Sequence, residues 1–177
     1  MGGGWESKDL RCATKIRCAK KIELYKVMIV SILLYGAETW TLKKADESKL
    51  HTFEMNCLRK ILGVTRLDRI RNVDIRERVG MKETVNNRIA VKRMRYFGHI
   101  NRMHQSRLPA VLLHGYIQGN RSRGRPMKRW IEGIKTDIAA REVNSLTQAT
   151  HMTANRSLWR GIVSRTPSLI RPDGAEG

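Results

Sequence analysis

The sequence predicts an all-α fold: about six helices in one compact basic domain with frayed termini. Apolar residues recur at helical spacing along nearly the whole chain. Glycines close several of the periodic stretches, at Gly36, Gly63 and Gly80. Hydrophobic residues make up 41% of the chain, enough for a real core.

The first element covers 13–36. Its period starts at Ile16, Ala19 and Ile22, and from Val27 onward it is apolar nearly all round, which predicts burial on every side. A short core strand over Val27–Tyr35 is the alternative, since β-branched residues cluster there. Asp46–Leu62 is the clearest helix. Leu50, Phe53, Cys57, Leu58, Ile61 and Leu62 share one face. Asp46 and Glu47 open it, Arg59 and Lys60 close it, matching the helix dipole. Asn72 is the expected cap of a short helix to Val79, and Thr84 caps one running through Ile89, Met94 and Phe97 to about Met103. Pro109 breaks that pattern. Leu108–Tyr116 is a short apolar segment of unassigned type, and Gln118–Gly124 is a loop rich in glycine and arginine. Pro126 suits the first turn of a helix with Trp130, Ile131, Ile134 and Ile138 on one face. Ser145 caps a last helix carrying Leu146, Ala149 and Met152 and continuing through Trp159 and Ile162. The expected organisation is a flexible N-terminus over 1–12, a helical nucleic-acid-binding body over 13–163, and a flexible tail over 164–177.

The chain has 177 residues, 35 Lys+Arg against 16 Asp+Glu, and a net charge of +19. Three cysteines cannot make a disulfide scaffold. The longest apolar stretch, Val27–Tyr35, falls well short of the roughly 20 residues a bilayer requires. The opening residues lack the order of a signal peptide, and Glu6 occupies the Ser/Thr position of a myristoylation start. The expectation is an intracellular protein, nuclear or cytoplasmic, with no membrane partner and no assigned oligomeric state.

The charge is unevenly spread. From Thr84 to Ile131, 48 residues pass without one Asp or Glu. The same stretch holds Arg88, Lys92, Arg93, Arg95, Arg102, Arg107, Arg121, Arg123, Arg125, Lys128 and Arg129. A solvated helix face ordinarily alternates signs, because opposite pairs one turn apart stabilise it and like pairs destabilise it. An external phosphate backbone compensates such repulsion, so the expected partner is RNA, DNA or both.

No cofactor or metal is expected. His99 and His104 have half the spacing of a zinc finger, but no close Cys pair supplies the other half, and Cys57 falls on an apolar helix face. The carboxylates are scattered, with no cluster for paired metal ions, no phosphate-cradling glycine loop and no nucleophile elbow. No catalytic residue is therefore assigned. Arg123-Gly124-Arg125-Pro126 is similar to the core of an AT-hook; a basic loop before a helix explains it as well. The pair Asn72–Val79 and Thr84–Met103 around Gly80 has the outline of a helix-turn-helix, with Arg88, Lys92, Arg93 and Arg95 on the second helix. Tyr96 adjoins the basic run and is the better base-stacking candidate, since Phe97 fits the apolar face. The candidate nucleic-acid contacts are Arg88, Lys92, Arg93, Arg95, Tyr96, Arg102, Arg121, Arg123, Arg125, Lys128 and Arg129.

Five ordered blocks resemble one family. Leu33-Leu34-Tyr35-Gly36-Ala37-Glu38-Thr39-Trp40 comes first, followed by Cys57-Leu58-Arg59-Lys60-Ile61-Leu62-Gly63. Arg95-Tyr96-Phe97-Gly98-His99-Ile100 with Arg102-Met103 is third. Arg123-Gly124-Arg125-Pro126 through Arg129-Trp130, and Ala154-Asn155-Arg156 with Trp159-Arg160, complete the series. Together they resemble the thumb and post-thumb region of non-LTR retrotransposon endonuclease/reverse transcriptases. The resemblance implies helices that grip a template–primer duplex or element RNA, as part of a larger RNA-directed DNA polymerase. The Tyr-x-Asp-Asp motif and the endonuclease of that family have no counterpart in these residues. Asn155 stands where the family usually shows Asp, and Met127 where a basic residue is common. The implied role of this chain is non-catalytic, with the rest of a reverse transcriptase as an implied partner. A stand-alone DNA-binding protein and a relic without function are the alternatives.

Overall fold

The computed structural model describes residues 15–81, 83–115, 123–124 and 127–165. The expected flexible segment 1–12, Arg121, Arg125, Pro126 and almost all of the tail lie outside them. Among the described residues every regular element is helical. The described residues fall into two compact units, 15–35 with 44–88 and 36–43 with 89–165.

The first unit begins with α1 (Lys15–Leu24), a π-helical turn (Tyr25–Val30) and α2 (Ser31–Leu33). The expected helix is there, but not its all-round burial. Among its described residues only Tyr25, Val30 and Leu34 are buried, while Val27, Met28, Ile32 and Tyr35 lie open. The buried residues are five and four positions apart. The wider π turn carries the chain from Tyr25 to Val30 without rotating the seam off its face. α3 (Lys44–Leu62) ends at Gly63, and α4 (Asn72–Val79) ends at Gly80, both with φ near +70°. Asn72 is not the cap of α4. It is the first helical residue, and its side chain accepts a hydrogen bond from Arg59 at 2.6 Å.

Glu54 of α3 organises this unit, buried with 0% exposure. It forms a 2.6 Å ion pair with Arg76 of α4 and accepts the backbone N–H of Val85, the first residue of α5 (Val85–Asn101), at 3.2 and 3.3 Å. One carboxylate thus joins three helices and satisfies an otherwise open helix-start donor. Thr84 caps α5 as expected, accepting from Asn87 N–H at 3.1 Å.

The second unit packs around the body of α5. α6 (Leu108–His114) occupies the unassigned apolar segment, and Pro109 opens it rather than merely ending its predecessor. α7 (Trp130–Ala139) begins at Trp130, not at Pro126. The expected last helix is two. Ser145 caps α8 (Leu146–Ala154), accepting from Gln148 N–H at 3.1 Å. Asn155 then caps α9 (Arg156–Ser164), accepting from Ser157 and Leu158 N–H, both at 3.1 Å. These interruptions raise the helix number above six. Met94, Phe97, Ile134, Ile138, Val143, Ala149, Trp159, Ile162 and Val163 form the core. Trp159 lies directly on Gly98, where a Cβ would collide with the indole, and donates its Nε1–H to the Met94 carbonyl at 3.1 Å.

Cys57 is a free, half-buried thiol whose pKa burial pushes up, in keeping with a packing role. Cys18 is disulfide-bonded.

Tyr25 yields a pH prediction. Burial, reinforced by the charge of Glu54, pushes its hydroxyl up to about 12. The folded pKa lies above the ordinary value of 10. Its stabilisation is therefore complete below pH 10 and is lost as pH rises towards 12. Alkaline difference absorbance should lose a late-titrating phenol in Tyr25→Phe, and that variant should lose less stability across the same window. A Tyr25 midpoint at 10 would refute this.

Candidate nucleic-acid interface

The acid-free stretch supplies cations in three different structural situations. Arg93 is internal. It emerges from the buried side of α5 and is 5% exposed. Its Nε and Nη2 both reach Asp137 Oδ2 of α7 at 2.7 Å. Gly133, one turn before Asp137, leaves room for the guanidinium, since a Cβ there would lie 2.8 Å from Arg93 Nη1. Arg93 is therefore corrected from a candidate surface contact to a core ion pair. Its sequence context, inside a basic run, carried no sign of a partner 44 positions away.

A second group is partly committed to protein. Lys128 donates to the Leu42 carbonyl at 2.6 Å, and Trp130 Nε1–H donates to the Glu38 carbonyl at 2.9 Å. Lys92 lies 3.9 Å from the Glu38 carboxylate. These contacts bind the segment Gly36–Lys43 into the second unit. Arg102 donates to the Thr153 carbonyl at 2.8 Å, and its pKa is lowered by desolvation and then by Arg156. Within the first unit, Arg88 lies 3.6 Å from Glu83.

The third group is exposed: Arg95 on α5, Arg107 immediately before α6, Arg123 beside Gly124, and Arg129 immediately before α7. Arg121 and Arg125 fall outside the described residues. Arg156 and Arg160 of α9 are exposed as well, flanking the buried Trp159 and Val163. They were not among the expected site residues. Their spacing of four on one helix was the available signal.

Tyr96 is half-buried and meets Trp130 edge to face, with ring centroids 6.1 Å apart at 78°. Both line a cleft of about 710 Å³ between α5, α6 and the start of α7. Phe97 is core, 1% exposed. Along α5, Lys92, Arg95 and His99 recur at helical spacing, the last two exposed and Lys92 half-exposed. Among the described residues no three His, Cys, Asp or Glu side chains converge to hold a metal ion, and no helix is long and apolar enough to cross a membrane.

Comparison with known proteins adds one likeness. The chain is 24% identical over 153 residues to an uncharacterized transposon-derived protein of Caenorhabditis elegans, a match covering 82% of this chain and 54% of the relative. The chain thus spans about half the length of that curated relative. No family model and no solved structure matches it.

Arg93→Ala should lower unfolding free energy by about 3–5 kcal/mol, because it leaves Asp137 buried without its partner. Replacing both residues, Arg93→Met with Asp137→Leu, should recover only part of that loss, because the buried Arg141 then loses the Asp137 carboxylate that offsets its desolvation. Urea denaturation measures both; a single variant as stable as the parent would show the pair to be dispensable.

Proposed function

We propose that this chain is a nucleic-acid-gripping region of a transposon-derived protein of the non-LTR reverse-transcriptase kind. It holds RNA or DNA through phosphate contacts and has no polymerase chemistry of its own. The observation that carries this reading is the exposure of Arg95, Arg123 and Arg129 within a stretch lacking any acidic residue. Arg156 and Arg160 extend the same character onto α9. Among the described residues no ion pair engages these arginines, which keeps their attraction for phosphate.

The likeness to a transposon-derived protein supports the reading, and the ordered sequence blocks give it its finer form. Phosphate contacts position a nucleic acid without reading its sequence. Binding is accordingly salt-sensitive and weakly specific, and the rest of a reverse transcriptase is the proposed partner for chemistry.

The test is fluorescence anisotropy with random-sequence RNA and DNA across a salt titration. Changing Arg95, Arg123 and Arg129 together to Gln should flatten the slope of log K against log salt by about 1 per lost contact, with equal weakening for all sequences. Salt-independent binding, or a loss confined to one sequence, would overturn the proposal.

A further inference from the structure

The cleft lined by Tyr96 and Trp130 is unlike the rest of the basic surface. Ile100, Leu108, Pro109, Leu112 and Ile131 form much of its wall, with Arg129 among the lining residues. Leu108 and Leu112 are 69% and 56% exposed, so the apolar wall opens to solvent. Its volume of about 710 Å³ lies in the range of small-ligand sites. Thr39 and Tyr96 add hydroxyl groups to the lining.

From the geometry we propose that this cleft receives an unstacked nucleobase of a single-stranded segment. The inference rests on the nucleic-acid reading above and adds a single-strand preference to it. A base needs flat apolar or aromatic surface, and its attached phosphate needs a cation within one nucleotide's reach. Tyr96, Trp130 and the aliphatic wall supply the first; Arg129 supplies the second.

The nearby charges favour this occupant over an apolar peptide. All but one of the lining residues fall in the stretch without Asp or Glu; the exception is Thr39. Of the carboxylates nearest in sequence to the lining, Glu38 lies 3.9 Å from Lys92, and Glu132 follows Ile131 on an exposed position of α7. An apolar helix from a partner protein would fill the wall without using Arg129. A fully paired duplex would satisfy Arg129 while leaving the wall empty, because its bases stay stacked.

The test compares two short single strands of equal charge, one with bases and one with abasic residues at central positions, against the full chain. The base-bearing strand should bind about tenfold more tightly, the worth of one stacked base. Leu112→Trp, which fills the cleft without changing charge, should remove that advantage and leave abasic binding unchanged. A strand carrying 5-iodouracil should photocrosslink to Tyr96 or Trp130 in the unaltered protein, a readout independent of any variant's folding. Equal binding of both strands, with crosslinks elsewhere, would overturn the cleft proposal while leaving phosphate binding intact. Failure of both strands, and of a duplex of the same length, to bind would overturn the nucleic-acid reading itself.

Discussion

The second unit depends on the buried pair between Arg93 and Asp137. Two nitrogens of one guanidinium converge on a single carboxylate oxygen at 2.7 Å, tying the middle of α5 to α7. Arg141, also buried, donates to the Asp137 backbone carbonyl at 3.0 Å. Its pKa is lowered by desolvation, which the Asp137 carboxylate counters and Arg93 adds to. Such a group of charges is costly to remove from water, and breaking one member leaves the others uncompensated. Its value to the fold is therefore geometric: it permits essentially one docking of α7 on α5. Gly133 and Gly98 are conditions of that docking, because the first admits Arg93 and the second admits the indole of Trp159.

The first unit solves a similar problem with opposite polarity of supply. There the central group is a carboxylate, Glu54, which gathers Arg76 and the first N–H of α5. A charge excess of +19 means that few acids are present to spend. Glu54 and Asp137 are both placed inside, where each orders several elements. Their internal use leaves the exposed cations less neutralised, which joins the stability of the fold to the electrostatics of its surface.

Burial sorts the basic residues into internal, partly committed and exposed groups. The cleft beside Arg129 combines a cation with aromatic and aliphatic walls, whereas Arg95 and Arg123 offer charge alone. A surface of this kind suits a ligand that is anionic along its length and apolar at intervals. Single-stranded nucleic acid has that alternation.

Much of the helical outline was legible from local chemistry. The period of Leu50, Phe53, Cys57, Leu58 and Ile61 placed α3. Gly63 and Gly80 closed their helices, and Thr84 and Ser145 capped theirs, because these effects act within one turn of the chain. Asn155 had the right chemistry for a cap, yet continuous apolar spacing on both sides concealed the break. The π turn at Tyr25–Val30 was equally hidden, since its spacing shows only once a partner surface selects which residues are buried. The basic stretch was legible as composition, but not the division of its members. Arg93 and Arg95 are two residues apart and alike in charge; one lies in the core and the other in solvent. That difference rests on Asp137, 44 residues away from Arg93, and on the hydrogen of Gly133 that makes room for it. Local sequence carries charge and period, whereas desolvation and pairing arise only when distant helices close on one another.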